Sequence, residues 1–405
     1  MKYISVKQAS EQWGVSTRRV QDLCNRGKIP GAQRWERTWM LPADTVYPCA
    51  REGQTQRPMP RKTPFLNMTD LYHQPGCARK VAEGLAHQPE AQALFEAEMA
   101  YCRGDMSGVY EKAQLFLSQQ SDFYAIIAGG MLLSLCAMWK GDMELFHKAK
   151  VHICQAPCHN DLDRSILELT IAAVDLSIRD TRAFPDWFFR GCFSVLPGDA
   201  YPAAKVYYIK YLMVYAQELA MDKVYMDGVS GMALMKTLPH IVEPFIAQAM
   251  VEKTVLVELY LRLMAAVVYH NGGDQARATE HIDKALALAL PDRLLGPLAE
   301  YRRQLGYLLD DRLALVDPEA LKELKRLHKK LHAGWTRLHN EVLQKQVSVE
   351  LAPREREVAR LAAFGCSDGE IAQRLGLSKF TVKSLISMVK NKTGAIKRAE
   401  LVDFI

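Results

Sequence analysis

The segment from residue 378 to residue 389 combines an apolar helical stripe with a polar face, which strongly constrains how it can fold. Its apolar side chains recur at i, i+3, i+4 and i+7, and they are Val382, Leu385, Ile386 and Val389. This spacing predicts one buried face of a helix. The opposite side is polar and cationic, with Lys383, Ser384, Ser387 and Lys390. A short helix with such an outer face suits the major groove of DNA.

The preceding residues predict two further short helices that would present this one. Pro353 suits the first turn of a helix, and Gly365 is placed to end it. Ser367 and Glu370 have the spacing of a capping box, in which each side chain satisfies a backbone amide of the next helix. Ser378 is placed to cap the third helix. The sequence therefore predicts a helix-turn-helix unit over residues 345–405.

This unit resembles the LuxR/NarL-type DNA-binding domain. The resemblance is carried by Leu351, Pro353, Arg354, Glu355, Glu357, Val358, Glu370, Ile371, Ala372, Ser378, Thr381, Val382, Lys383, Lys392 and Gly394. It implies that base edges are contacted by Lys383, Ser384 and Ser387, and that phosphates are contacted by Thr381, Lys390 and Lys392. The chain departs from the family at Leu385, where a His is usual, and at Thr393, where a Leu is usual.

The resemblance also implies dimers on DNA that pair through the closing helix. This helix would carry Ile396, Leu401, Val402, Phe404 and Ile405. Its apolar side chains exceed what one short terminal helix needs if only one side packs inward, and Val402 is expected on the exposed side. The alternative is that all of them cap the core of the domain.

The N-terminus predicts a second helix-turn-helix. Ser5 and Gln8 form a capping box for a first helix. A second helix carries a buried stripe of Val20, Leu23 and Cys24, and two short strands over residues 33–35 and 38–41 follow. Residues 1–47 resemble a MerR/excisionase-type winged helix-turn-helix. The residues expected to face DNA are Arg18, Arg19, Gln21, Arg34 and Arg37. A small protein-interaction module with a basic face is the alternative.

Charge is distributed unevenly along the 405 residues. Lys and Arg outnumber Asp and Glu by 12 to 5 in residues 1–62 and by 11 to 7 in residues 345–405, while the net charge of the whole chain is only +6. The middle is therefore acidic. Two basic ends around an acidic body predict that both ends meet phosphate and that the body does not.

Residues 48–66 are rich in proline and basic residues, which predicts a flexible linker. Residues 67–344 contain three glycine-aspartate turns between apolar helical stretches, at Gly104, Gly141 and Gly273, and less regular turns continue a period of about forty residues. This pattern resembles the tetratricopeptide-like repeats of MalT-type regulators. It predicts a mainly α fold, a helical-repeat solenoid flanked by two helix-turn-helix domains, with a small β-hairpin wing in the first.

Other constellations in the sequence give weaker signals. Two cysteines at positions 154 and 158 lie between His152 and His159, but their spacing fits no common zinc site, so no metal is expected. No nucleophile with its base and no glycine-rich phosphate loop is recognised, so neither an enzyme nor a cofactor is expected.

The apolar stretch 123–139 is slightly short for a bilayer, and the nine cysteines show no disulfide framework. Five tyrosines between residues 201 and 215 have the helical spacing of core residues, and lining a ligand surface is the alternative.

These observations predict a cytoplasmic DNA-binding transcription regulator. Double-stranded DNA is the expected partner, and the helical repeats would sense a small-molecule or peptide effector or support assembly. The alternative is an accessory factor for recombination, with an excisionase-like DNA-bending end and a protein-binding scaffold. A third hypothesis is a peptide- or sugar-sensing module in which DNA binding is secondary.

Overall fold

The chain forms two compact units in the computed structural model, Met1–Arg61 and Lys62–Ile405. The described residues are 3–13, 17–25, 29, 31–35, 38–42, 71–119, 122–182, 184–222, 231–344, 351, 353–393, 395 and 397–405. The predicted linker at 48–66 lies outside them.

The N-terminal unit combines two helices with a three-stranded antiparallel sheet. Its elements in chain order are β1 (Tyr3–Ser5), α1 (Val6–Trp13), α2 (Thr17–Asn25), β2 (Gln33–Trp35) and β3 (Thr38–Pro42). The strands are ordered β1, β3, β2, and the pairing of Trp35 with Thr38 makes β2 and β3 a tight hairpin. The two strands of the hairpin were predicted, whereas β1 was missed.

The capping box predicted at the start of α1 is formed. The amide of Ser5 donates to Oε1 of Gln8 at 2.9 Å, and the amide of Gln8 donates back to Oγ of Ser5 at 3.3 Å. The buried core consists of Val6, Ala9, Val20, Leu23, Cys24, Ile29 and Leu41. The stripe predicted on α2 is therefore confirmed, and the side chain of Trp13, also predicted to face inward, lies outside the described residues.

The second unit is almost entirely helical. Its body comprises α3 (Ala78–Gly84), α4 (Pro89–Arg103), α5 (Met106–Leu117), α6 (Phe123–Lys140), α7 (Met143–Cys154), α8 (Asp161–Ser177), α9 (Asp186–Phe189), α10 (Tyr201–Asp222), α11 (Gly231–Glu252), α12 (Val255–Gly272), α13 (Gln275–Ala289), α14 (Leu295–Leu305), α15 (Tyr307–Val316) and α16 (Pro318–Leu343). Its C-terminal part comprises α17 (Pro353–Ala363), α18 (Asp368–Leu375), α19 (Lys379–Thr393) and a 3₁₀ helix, Ala399–Phe404.

Each of the three predicted glycine-aspartate turns connects two helices that pack against each other. The glycine ends its helix in the left-handed region, with φ of 79° at Gly104, 65° at Gly141 and 84° at Gly273. The following aspartate caps the next helix through its side chain; Oδ1 of Asp142, for example, accepts from the amide of Leu145 at 2.9 Å. A residue with a Cβ is strained at such a φ, so these glycines fix where each helix ends.

The long helix α16 packs across the helices of the body rather than only against its neighbours in sequence. It contacts α6 and α14, and a Cβ built at Gly334 would overlap the carbonyl oxygen of Trp139. A Cβ at Gly104 would meet Leu327 at 2.6 Å. Glycine at these two positions thus permits α16 to lie directly on the C-terminal ends of α4 and α6.

The apolar helix α6 is a core helix of this unit. By length and composition it is the one described helix that could cross a membrane, but 89% of it is buried inside the protein. The tyrosines of α10 are also mainly core residues. Tyr211 is buried and packs against Phe184 and Phe188, with ring centroids 5.0 and 5.7 Å away.

Candidate nucleic-acid interface

The turn between α17 and α18 is built as the sequence predicts. Gly365 has a φ of 82°, and the amide of Cys366 donates to the carbonyl of Leu361 at 3.0 Å, which closes α17. The amide of Ser367 donates to Glu370 at 2.7 Å, and the amide of Glu370 donates to Oγ of Ser367 at 3.3 Å. These bonds form the predicted capping box. The bonds from Ser367 also lower the pKa of Glu370.

The connection to α19 uses a left-handed glycine followed by a serine cap. Gly376 has a φ of 62° and ends α18. Oγ of Ser378 then accepts from the amide of Thr381 at 3.0 Å, so Ser378 is the N-cap of α19 as predicted. The two helices are thus joined by a short, well-capped turn, which is the arrangement of a helix-turn-helix.

Helix α19 presents one apolar face to the domain core and one polar face to solvent. Val382, Ile386 and Val389 are buried, and α19 packs on α17 and α18 through this side. Leu385 is partly buried at the edge of the stripe. The predicted stripe is therefore confirmed.

The residues expected to meet DNA lie mainly on the solvent side of α19. Thr381, Lys383, Ser384 and Ser387 are exposed, whereas Lys390 is half-buried, and the side chain of Lys392 lies outside the described residues. The structure thus presents four of the six predicted side chains on an open helical surface.

Two exposed apolar side chains on α19 were missed at the sequence level. Phe380 is 83% exposed near the N-terminus of the helix, and Met388 is 42% exposed. Each lies four residues from the polar position Ser384, so they share the outer face. Helical spacing could have identified them, and an apolar side chain there can contact the methyl group of thymine.

The C-terminal helices dock on the helical body through polar and cationic contacts. The hydroxyl of Tyr307 donates to Oε1 of Glu357 at 2.7 Å, and Nη1 of Arg360 donates to Oδ1 of Asn271. A Cβ at Gly273 would lie 2.8 Å from the guanidinium carbon of Arg374, so Arg374 lies directly on one of the glycine-aspartate turns. The residues of α17–α19 and those of the body accordingly belong to one compact unit.

Burial lowers the pKa of two basic side chains at this contact. Burial lowers the pKa of Arg360 to about 10. Burial, assisted by the charge of Arg360, lowers the pKa of His270 to about 3. His270 is therefore neutral in the folded protein, and the docked surface contains one buried guanidinium beside an uncharged imidazole.

The closing segment does not present the surface that was expected for pairing. Val402 is only 6% exposed, and Leu401 and Ile405 are also buried. The 3₁₀ helix that contains Val402 packs against α10 of the body and against α17. The prediction that Val402 lies on an exposed side is therefore wrong, because the 3₁₀ helix that contains it packs against both α17 and α10.

The N-terminal unit presents part of its predicted DNA-facing set. Gln21 on α2 and Arg34 on β2 are exposed, and Trp35 beside Arg34 is 71% exposed. The side chains of Arg18 and Arg19 lie outside the described residues, as does the whole of Arg37. The exposed Trp35 was not singled out from the sequence, although its place next to the hairpin turn was predicted.

The remaining sequence constellations do not converge on a site. Cys154 and Cys158 are exposed around the end of α7, and the amide of His159 donates to Asp163 at 2.9 Å. Among the residues that the structure describes, no three His, Cys, Asp or Glu side chains are grouped to hold a metal ion.

Residues 349–405 match the family of bacterial regulatory proteins of the luxR type. The matched segment contains α17–α19 and the closing 3₁₀ helix, and the match supports a LuxR-type helix-turn-helix in the C-terminal part of the chain. A match to this family suggests a DNA-binding transcription regulator. No curated protein and no solved structure matches the chain at a significant level.

Proposed function

We propose that this protein is a sequence-specific, DNA-binding transcription regulator that reads DNA through α19. The observation that carries the proposal is the division of α19 into a buried stripe and an exposed face with Lys383, Ser384 and Ser387. A helix held from behind by its domain, with donors and acceptors on its open side, can enter a major groove and hydrogen-bond base edges.

Each exposed residue of α19 has a role that its chemistry favours. Lys383 is long enough to donate to the acceptor edge of guanine, and the hydroxyl groups of Ser384 and Ser387 can both donate and accept. Thr381 lies in the first turn, where the helix N-terminus favours a phosphate. Lys390 and Lys392 would neutralise phosphates farther along the groove. Phe380 adds an apolar contact at the N-terminal end.

The N-terminal unit would provide a second DNA contact. Gln21 and Arg34 are exposed on separate elements of this unit, and Arg18 and Arg19 are within one turn of Gln21 on α2. The basic balance of residues 1–62 supports phosphate contacts there. Arg37, which lies in the sequence between the two predicted strands, completes the proposed set, in line with the MerR/excisionase resemblance.

The helical body would serve as the sensing or assembly part of a cytoplasmic regulator. Its glycine-aspartate turns support the tetratricopeptide-like interpretation, and its net negative charge makes it a poor DNA ligand. We propose that the protein binds as a homodimer to two half-sites, since pairing lets a small domain gain specificity through symmetry. Because Val402 is buried, pairing requires either undocking of the closing segment or another surface.

The test is selection of bound duplexes from a random double-stranded DNA library by the full-length protein. The expected result is an enriched motif. Lys383→Ala should then weaken binding to that motif by about 1–3 kcal/mol, as expected for loss of a base contact. Lys322→Ala is the matched control, because it removes one exposed lysine from α16 of the body. Equal affinity of both variants and the parent protein at fixed salt would exclude Lys383 from the interface.

A further inference from the structure

A cavity inside the helical unit contains a cluster of cationic and aromatic side chains that the proposed DNA contacts do not use. It has a volume of about 90 Å³, several times the space that one water molecule needs. Helices α14 and α16 form most of its wall, and Arg179 borders it from the turn after α8. The side chains that matter for its chemistry are Arg179, Glu300, Tyr301, Arg303, His332 and Trp335.

Arg303 is a buried cation in this wall. It is only 9% exposed, and its Nε has no hydrogen-bond partner among the described residues. Among the described residues, no carboxylate lies within ion-pair distance of the guanidinium group of Arg303. Burying a charge without a counter-charge is costly, and a bound anion would offset that cost.

Further positive charge surrounds Arg303. The guanidinium carbons of Arg303 and Arg179 each lie 5.7 Å from the ring centre of Trp335. Burial and the charges of Arg179 and Arg356 lower the pKa of Arg303 to about 9. Burial and the charge of Arg303 also lower the pKa of His332, to about 3. The imidazole is therefore neutral, while the guanidinium groups stay charged at neutral pH and repel one another.

Among the described residues that line the cavity, Glu300 is the one carboxylate, and it already has its own donors. Glu300 accepts hydrogen bonds from the hydroxyl groups of Tyr101 and Tyr260, both at 2.9 Å, and Nζ of Lys210 lies 3.7 Å away. Tyr301 on the same wall is different, because its buried hydroxyl has no hydrogen-bond partner among the described residues. The residues that line the cavity thus include a buried arginine and a tyrosine whose buried hydroxyl has no hydrogen-bond partner among the described residues.

We propose that this cavity binds the oxyanion group of a small metabolite, a carboxylate or a phosphate. Arg303 forms the ion pair with the anion, because a guanidinium group can donate two parallel hydrogen bonds to such a group. The hydroxyl of Tyr301 donates a further hydrogen bond. The indole of Trp335 packs against the part of the ligand that carries the anion, and the volume limits that part to a few heavy atoms.

The position of Arg303 connects this site to the helix-turn-helix. Arg179, Arg303 and Gln304 also border an adjacent cavity of about 120 Å³. The far wall of that cavity belongs to the C-terminal domain and includes Arg356, Arg360 and Phe364. An anion bound to Arg303 reduces the repulsion between the cationic side chains where the C-terminal domain contacts the helical body. The role of the anion as an effector of DNA binding rests on the proposed function, whereas the binding of the anion in the cavity does not.

The binding test uses the full-length protein with inorganic phosphate and with succinate, each against chloride at equal ionic strength, by isothermal titration calorimetry. The expected result is saturable binding of one of the two anions, and the one that binds identifies the oxyanion class. Arg303→Met should lower its affinity by at least about tenfold, and Tyr301→Phe should lower it severalfold. Arg277→Met is the control, because Arg277 is an exposed arginine of α13.

Two outcomes would overturn the site: neither anion binds beyond chloride, or Tyr301→Phe and Arg303→Met bind as well as the parent protein. Tyr301→Phe keeps the test valid if Arg303→Met fails to fold. Binding of the selected DNA, measured with and without the anion, then separates the two proposals. If the parent protein binds the selected DNA but neither anion, only the anion site is refuted. An anion that binds but changes DNA affinity by less than about fivefold refutes its role as an effector.

Discussion

Gly334→Ala tests how closely α16 packs on the end of α6. The new Cβ would overlap the carbonyl oxygen of Trp139 and lie 2.5 Å from that of Met138. Both atoms are backbone atoms of a helix and cannot rotate away, so α16 must move outward. This movement would also displace Trp335, the next residue of α16 and part of the cavity wall.

The expected cost follows from two opposing effects. Alanine in place of glycine within a helix stabilises it by about 0.5–1 kcal/mol, because the unfolded chain loses backbone freedom. Forcing an extra methyl group into a packed interior costs about 1–3 kcal/mol, and contact with rigid backbone favours the upper part of that range. We therefore expect Gly334→Ala to lower the free energy of unfolding by about 1–2 kcal/mol.

Gly84→Ala is the matched control, because a Cβ at this position in α3 meets nothing within 4 Å. Equilibrium urea unfolding, followed by circular dichroism, should show a lower midpoint for Gly334→Ala at an unchanged m-value and no loss for Gly84→Ala. If Gly334→Ala unfolds at the same urea concentration as the parent protein or a higher one, the close packing of α16 on α6 is wrong.

Three further predictions concern the helix-turn-helix and its docking. Ser367→Ala removes the capping box of α18 and should cost about 1 kcal/mol, measured as a lower urea midpoint. Its control is Ser118→Ala on the body, because Ser118 is exposed and its hydroxyl caps no helix N-terminus. The pKa of His270 is about 3 in the folded protein, below the usual 6.5, so the unfolded chain binds more protons between these values and stability should fall as the pH drops below 6.5. His270→Gln should flatten that slope by up to about 1.4 kcal/mol per pH unit in urea titrations, and an unchanged slope would contradict the buried neutral imidazole. Phe380→Ala should weaken binding to the selected DNA in a fluorescence anisotropy titration without lowering the urea midpoint, because Phe380 is 83% exposed.

The parts of the fold that the sequence predicts correctly are those with local causes. The capping box of Ser367 and Glu370, the cap at Ser378 and the glycine-aspartate turns each depend on residues within about one helical turn, so their spacing alone identifies them. The buried stripe of α19 is equally local, because helical periodicity fixes which side chains share a face.

The parts that were missed depend on contacts between distant residues. Strand β1 forms only because Tyr3–Ser5 pairs with β3, almost forty residues later. Val402 is buried in a 3₁₀ helix that packs against α17 and α10, and no pattern within the closing segment reports those contacts. Arg303 looks like an ordinary helical arginine in the sequence, and only the packing of α14 against α16 reveals it as a buried cation facing a cavity.

Chromatin immunoprecipitation of the full-length protein, followed by sequencing, tests the central claim most directly. We expect discrete peaks at promoters that share one motif, and we expect these peaks to weaken in cells that carry Lys383→Ala at an equal protein level. Peaks confined to recombination attachment sites would instead favour the accessory-factor alternative. Uniform background coverage for the parent protein, or promoter peaks that Lys383→Ala leaves unchanged, would contradict a regulator that reads DNA through α19.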